Sequence, residues 1–172
     1  MSVTTILKTE NRHWPAIFIA FALSAAPFLT TPPARASTDL PAASDLRAAV
    51  ASPAKAGGPL VVIYSRHDCA YCEAVKRDFL RPLARHPAYR DKLAIVQINQ
   101  DSAAPLTDFH GKRTTHAGFA ADEKIGLVPV VAFYGPNGQR LAAPIVGARL
   151  PDFYQSYLEA AIEQSMAALK PR

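Results

Sequence analysis

The stretch from Leu60 to Cys72 constrains this chain more than any other, because it ends in a C-x-x-C built from the only two cysteines, Cys69 and Cys72. Leu60-Val61-Val62-Ile63-Tyr64 is a short apolar run rich in β-branched residues and reads as a buried strand, after which Ser65 to Asp68 supplies a polar turn. From Glu73 onward the period becomes helical. Val75, Phe79, Leu80 and Leu83 fall on one face, and Lys76, Arg77, Arg81 and Arg85 are assigned to the rest of the helix surface.

A strand, a C-x-x-C and then an amphipathic helix is an arrangement for making a reactive thiol. Cys69 is expected at the helix N-terminus, where unpaired backbone N–H groups and the positive end of the helix dipole stabilise a thiolate. Cys72 then lies one turn inside the helix, within bonding reach. That suits a disulfide that opens and closes, with Cys69 attacking and Cys72 resolving the mixed disulfide. Two thiolates can also hold a metal, but a closed zinc site needs about four ligands and the chain has no second C-x-x-C and no H-x-x-x-H. His67 is a possible third ligand for copper, whereas His86, His110 and His116 show no converging spacing. His67 has two further readings: a cation that stabilises the Cys69 thiolate, or an ordinary surface residue. Tyr71, between the cysteines, offers apolar contact to a substrate or simply caps the helix. No metal and no cofactor are expected.

On these residues the chain resembles the thioredoxin-like thiol-disulfide oxidoreductases. A second segment, Gly126-Leu127-Val128-Pro129-Val130-Val131-Ala132-Phe133-Tyr134, is similar to that family's strand preceded by a cis proline. The resemblance implies a cis bond at Pro129, a Val128 backbone that pairs with an extended substrate, and a glycine near the disulfide, here Gly147. It spans roughly Ala42 to Lys170 and implies an α/β thioredoxin fold, a mixed central sheet of about four strands flanked by helices. Two departures stand out. Ile63 occupies the place where thioredoxins carry a buried acid, leaving Glu73, Asp68 and His67 as candidates for tuning the cysteines. Ala70-Tyr71 replaces their Gly-Pro, so a redox potential does not carry over.

The first third of the chain reads as an export signal. Lys8 and Arg12 precede an apolar run from Pro15 to Leu29, and Ala34-Arg35-Ala36 offers small residues for cleavage after Ala36. A retained membrane anchor is the alternative, but the run falls short of the about 20 residues a spanning helix needs and contains Pro27. The expected division is a signal peptide at 1–36, an Ala/Pro-rich lead-in with a short helix at 37–59, and the thioredoxin-like domain at 60–172. In an oxidising periplasm a disulfide across so small a loop adds little stability, which favours a redox role over a structural one. Cleavage would leave 16 Lys and Arg against 13 Asp and Glu, from 19 against 14, a mild excess with no nucleic-acid footprint.

In chain order, a helix is expected from Asp45 to Ala51 with Ser44 as N-cap, then the Leu60–Ser65 strand and the cysteine helix, kinked or ended near Arg81 by Pro82. A strand follows within Lys92 to Asn99, parallel to the first, and then a polar connection from Gln100 to Ala117. Thr115 should cap a helix running through Lys124, with Phe119 inward and Gly126 as the stop. Val130 to Tyr134 turns through Gly135-Pro136-Asn137-Gly138 into an edge strand from Gln139 to Val146. The last helix opens at Pro151 with Phe153, Tyr157, Leu158, Ala161, Ile162 and Leu169 as its core stripe. The functional expectation is a periplasmic reductase for the disulfides of a particular protein client, supplied with electrons by an inner-membrane partner and similar to the thioredoxins of cytochrome c maturation or sulfur oxidation. The alternatives are a disulfide donor, a copper chaperone and a binding module on the same fold.

Overall fold

The computed structural model describes residues 40–149 and 151–170; the expected signal segment and its cleavage site lie outside them. The order is α1 (Leu46–Lys55), β1 (Leu60–Ser65), α2 (Ala70–Val75), a wide π-turn (Lys76–Leu80), α3 (Arg81–Arg85), β2 (Ala94–Asn99), β3 (Pro105–Thr107), β4 (Arg113–Thr115), α4 (His116–Asp122), β5 (Val130–Tyr134), β6 (Ile145–Val146) and α5 (Pro151–Leu169). Four strands form a mixed sheet in the order β2-β1-β5-β6, with β1 parallel to β2 and antiparallel to β5. Helices cover both faces, as the thioredoxin fold requires. Among the described residues no helix is long and apolar enough to cross a membrane.

β1 is buried at every position because each face of the sheet is covered. Val61 and Ile63, with Val131 and Phe133, meet Val75, Leu80 and Leu83 from the cysteine helix and Tyr154, Leu158 and Ile162 from α5. Leu60, Val62 and Tyr64, with Val130, Ala132 and Tyr134, meet Leu46 and Val50 of α1 and Phe119 of α4. Each such aliphatic or aromatic side chain contributes about 1.5–3 kcal/mol on burial, so an apolar residue is favoured at every position.

Several boundaries differ from the sequence expectation. Asp45, not Ser44, caps α1: its Oδ1 accepts from the Ala48 amide at 3.0 Å, and the helix runs on to Lys55. Pro82 does not end the cysteine helix. The π-turn precedes it, so Pro82 falls in the first turn of α3, where a missing amide is harmless. Residues 100–117 contain the β3–β4 hairpin, turned by Asp108, whose Oδ1 accepts from His110 and Lys112 at 2.8 and 2.9 Å. Thr115 caps α4 as expected, through its Oγ1 and the Gly118 amide, and Phe119 is buried. The stop is Lys124 at φ 58, not Gly126, with the Ile125 amide reaching back to the Ala120 carbonyl. The edge strand is only Ile145–Val146, preceded by one bridge between Tyr134 and Arg140. Pro144 has no amide to extend it.

The core stripe of α5 holds the expected Leu158, Ala161 and Ile162 and differs in its first two turns. Tyr154, Leu158, Ala161, Ile162 and Ser165 face the sheet, while Phe153 and Tyr157 are 58 % and 51 % exposed.

Candidate active site

β1 ends at Ser65 and delivers the chain into a loop that two features fix. The His67 amide donates to Asp101 Oδ2 at 2.9 Å, anchoring the loop to the residues after β2. Asp68 takes a left-handed conformation at φ 53, which a short polar side chain tolerates. Cys69 then serves as N-cap of α2: its backbone is extended, and its Sγ accepts from the Cys72 amide at 3.2 Å. The two cysteines form a disulfide, with an S–S bond of 2.01 Å and Cα atoms 5.2 Å apart. Cys69 remains partly exposed, whereas Cys72 is fully buried.

Two hollows flank this pair. The first is a shallow groove lined by Tyr71, Leu127, Val128, Pro129, Gly147, Ala148 and Arg149. The Val128–Pro129 bond is cis. The Gly147 amide donates to the Pro129 carbonyl at 2.8 Å, and Gly147 sits at φ 79, where a side chain would be strained. Tyr71, 71 % exposed, lies on this groove, so Tyr71, Val128 and Pro129 are brought together on one surface. Leu127, 61 % exposed on the same groove, was not singled out from sequence.

The second hollow is polar and contains Cys69, His67, Glu73, Lys76, Gln97 and Asn99 among its walls. His67 and Glu73 therefore lie beside Cys69, both exposed. Glu73 forms an ion pair with Lys76 and lies 3.9 Å from Arg81. Lys76 corrects the sequence reading, which placed it on the outer face: it is buried, with Nζ donating to Gln97 Oε1 at 3.1 Å. The periodicity contained the signal, because Lys76 is four residues after Cys72 and in the middle of the apolar stripe. Charge alone suggested a solvated position.

Ile63 is fully buried and pairs in register with Gln97 on one side and Val131 on the other. β1 thus brings no acid to the cysteines. Among the described residues no group of three or more His, Cys, Asp or Glu is placed to hold a metal ion. His116 is a core residue, with Nδ1 accepting from the Asn99 amide at 3.1 Å and Nε2 donating to the Ala43 carbonyl at 2.7 Å.

A buried sulfur, a partly exposed sulfur capping a helix and a cis-proline groove, all carried on a thioredoxin fold, define a thiol-disulfide exchange site. The model of the thioredoxin-like domain family matches residues 46–162, and the chain belongs to that family. It is a thiol-disulfide oxidoreductase of the thioredoxin-like kind. Among solved structures it is similar to oxidized mitochondrial thioredoxin 3 from Saccharomyces cerevisiae, at 19% identity and a TM-score of 0.48, over 72% of this chain and 93% of that one. It is also similar to oxidized thioredoxin O2 from Arabidopsis thaliana, at 15% identity, TM-score 0.49 and coverage of 74% and 94%. A thioredoxin-fold protein from Helicobacter pylori matches at 14% identity, TM-score 0.49 and coverage of 65% and 73%. No curated protein matches the chain.

Proposed function

We propose that the protein is an exported, periplasmic reductase that opens disulfides in a particular protein client. The observation that carries the mechanism is the asymmetry of the pair: Cys69 is accessible and Cys72 is not, so a client sulfur meets Cys69 first. The Cys69 thiolate attacks one client sulfur, forming a mixed disulfide, and the other client sulfur leaves and takes a proton. Cys72 then loses its proton and attacks Cys69 Sγ. The Cys69–Cys72 bond closes, the mixed disulfide breaks, and the second client sulfur leaves as a thiol. Two electrons pass from the pair to the client, which gains one proton from Cys72 and one from water because Cys69 enters as the thiolate, and the pair ends in the oxidised form seen here.

The cis-proline groove supports the binding step. An extended client segment can pair with the Val128 backbone while Tyr71 and Leu127 supply apolar contact. The reductive direction is supported by the segment between β2 and β5, which holds a small hairpin and one short helix in place of the helical domain inserted in periplasmic disulfide oxidases. A dithiol donor must restore the reduced pair, and at the periplasmic face that role falls to an inner-membrane partner. The signal at 1–36, cleaved after Ala36, belongs to the same reading.

Reduction of insulin by dithiothreitol-supplied protein tests the mechanism. Cys69→Ser should abolish turnover, and Cys72→Ser should accumulate mixed disulfides that resist resolution. Undiminished turnover in Cys69→Ser would refute it. The direction is read from the reduction potential of the pair: a value near the roughly −270 mV of thioredoxin supports a reductase, and one near the about −120 mV of a strong oxidant reverses the assignment.

A further inference from the structure

Lys76 is the only Lys, Arg, Asp or Glu in the buried class among the described residues, at 4 % exposure. An ammonium in such a place is strongly disfavoured unless it is paired and hydrogen-bonded. Here Glu73 supplies the ion pair and Gln97 the hydrogen bond. The cavity onto which Cys69 opens is walled by these same three residues. Lys76 also follows Cys72 by one helical turn, its amide donating to the Cys72 carbonyl, so it stands on the face of the helix that buries that cysteine.

The other charged groups around the cavity are Arg66, His67 and Asp68 from the loop after β1, and Glu73 from α2. All four are exposed, and water screens their fields. β2 contributes only the neutral Gln97 and Asn99. Arg81 of α3, its side chain 26 % exposed, reaches Glu73 at 3.9 Å. Lys76 is the most deeply buried charge of the set, and an effective dielectric constant of about 20 at such a site leaves a charge several times more effective than in bulk water.

We propose that Lys76 is a positioning residue for the cysteine pair, its buried ammonium stabilising the Cys69 thiolate, with Glu73 moderating that field from the solvent side and Gln97 fixing its direction. The inference rests on the thiol-disulfide reading above. In the reduced pair the charge is on Cys69. When the pair passes two electrons to a client disulfide, the client S–S bond breaks, the Cys69–Cys72 bond forms and the client sulfurs carry away two protons, one from Cys72 and one from water. The negative charge near Lys76 is then gone. A cation that favours the thiolate and has no anion to favour in the disulfide raises the reduction potential of the pair.

The test equilibrates the full chain with glutathione redox buffers, quantifies oxidised protein by thiol alkylation, and follows the thiolate by its ultraviolet absorbance against pH. Lys76→Met should make the disulfide about tenfold less oxidising towards glutathione, a potential about 30 mV more negative, and move the thiolate titration to higher pH. Lys76→Arg should stay within about twofold of the parent on the same scale. Glu73→Gln, at an exposed position, should shift both readouts in the opposite direction. Those opposite signs are what a merely structural role would not produce. An unchanged potential in Lys76→Met, or shifts of the same sign in Lys76→Met and Glu73→Gln, would overturn the proposal. If Lys76→Met does not fold, the sign of Glu73→Gln decides alone. A parent protein that never exchanges with glutathione would instead sink the oxidoreductase reading itself.

Discussion

Asp45 shows how much one side chain decides at the start of the domain. Its carboxylate accepts from the Ala48 amide, and that bond, with smaller help from Arg47, holds its carboxyl below the usual carboxylate range. A carboxylate depressed in the folded state stabilises above its ordinary range, and the contribution is lost as pH falls through the folded value. Asp45→Ala should therefore cost about 1 kcal/mol at neutral pH, and thermal unfolding should show the gap to the parent closing below about pH 4. A gap that persists undiminished at pH 3 would mean that the cap acts through something other than its charge. The same position shows why sequence reading stopped one residue short. Ser44 and Asp45 are both good caps, and only the backbone decides which one stands where the side chain can reach the amide three residues on. The cysteines, Tyr71 and the Val128-Pro129 pair were legible because their spacing carries the chemistry. Lys76 was not, since a lysine on a buried stripe defies the rule that charges face water.

At the scale of elements, a polar chain through the apolar layer ties β1, β5, the end of α4 and the segment after β5 together. Tyr134 donates to Glu123 Oε2 at 2.7 Å, so the 2.6 Å contact between the two tyrosine hydroxyls must have Tyr64 as donor. Arg140 donates to the same Glu123 oxygen at 2.6 Å and lies over the Tyr134 ring. Burial, the largest cause, pushes both tyrosine hydroxyls far up, so they stay protonated across the ordinary pH range. Tyr134→Phe removes the middle of the chain and strands the buried Tyr64 hydroxyl, a loss of about 1–3 kcal/mol. Tyr64→Phe removes only the terminal donor and should cost less. Because the orphaned hydroxyl disappears in the double variant, its loss should fall short of the sum, and denaturant unfolding of the three variants measures this. Additive losses would show that the hydroxyls do not act as a chain. The strands holding this network were evident from their apolar runs. The β3–β4 hairpin was hidden because a three-residue strand, half buried, has too little alternation to register, and its turn depends on Asp108 hydrogen bonds that composition does not reveal. The α5 stripe differs from expectation only at Phe153 and Tyr157 for a related reason: apolar residues stand side by side at Phe153-Tyr154 and Tyr157-Leu158, so two faces satisfy the helical period there and only packing selects one.

For the whole molecule, the charge proposed at Lys76 must also appear in global stability, because redox state and folding share a thermodynamic cycle. The difference between the unfolding free energies of the oxidised and reduced protein equals the difference between reducing the pair when folded and when unfolded. Lys76 acts only on the folded side, since in the unfolded chain water surrounds both it and the cysteines. A field that favours the folded thiolate therefore stabilises the reduced protein relative to the oxidised one. Lys76→Met removes that preference, so the oxidised form should gain on the reduced form by about 1.4 kcal/mol for a tenfold change in exchange constant. Glu73→Gln should move the balance the other way. Urea unfolding of the parent and both variants, each with and without excess dithiothreitol, gives the four-cornered comparison. If the stability differences follow the glutathione equilibria in sign and size, the effect belongs to the folded active site. If the potentials shift while the stability differences stay fixed, the unfolded pair has shifted by the same amount, and the buried cation is not what sets the chemistry of Cys69.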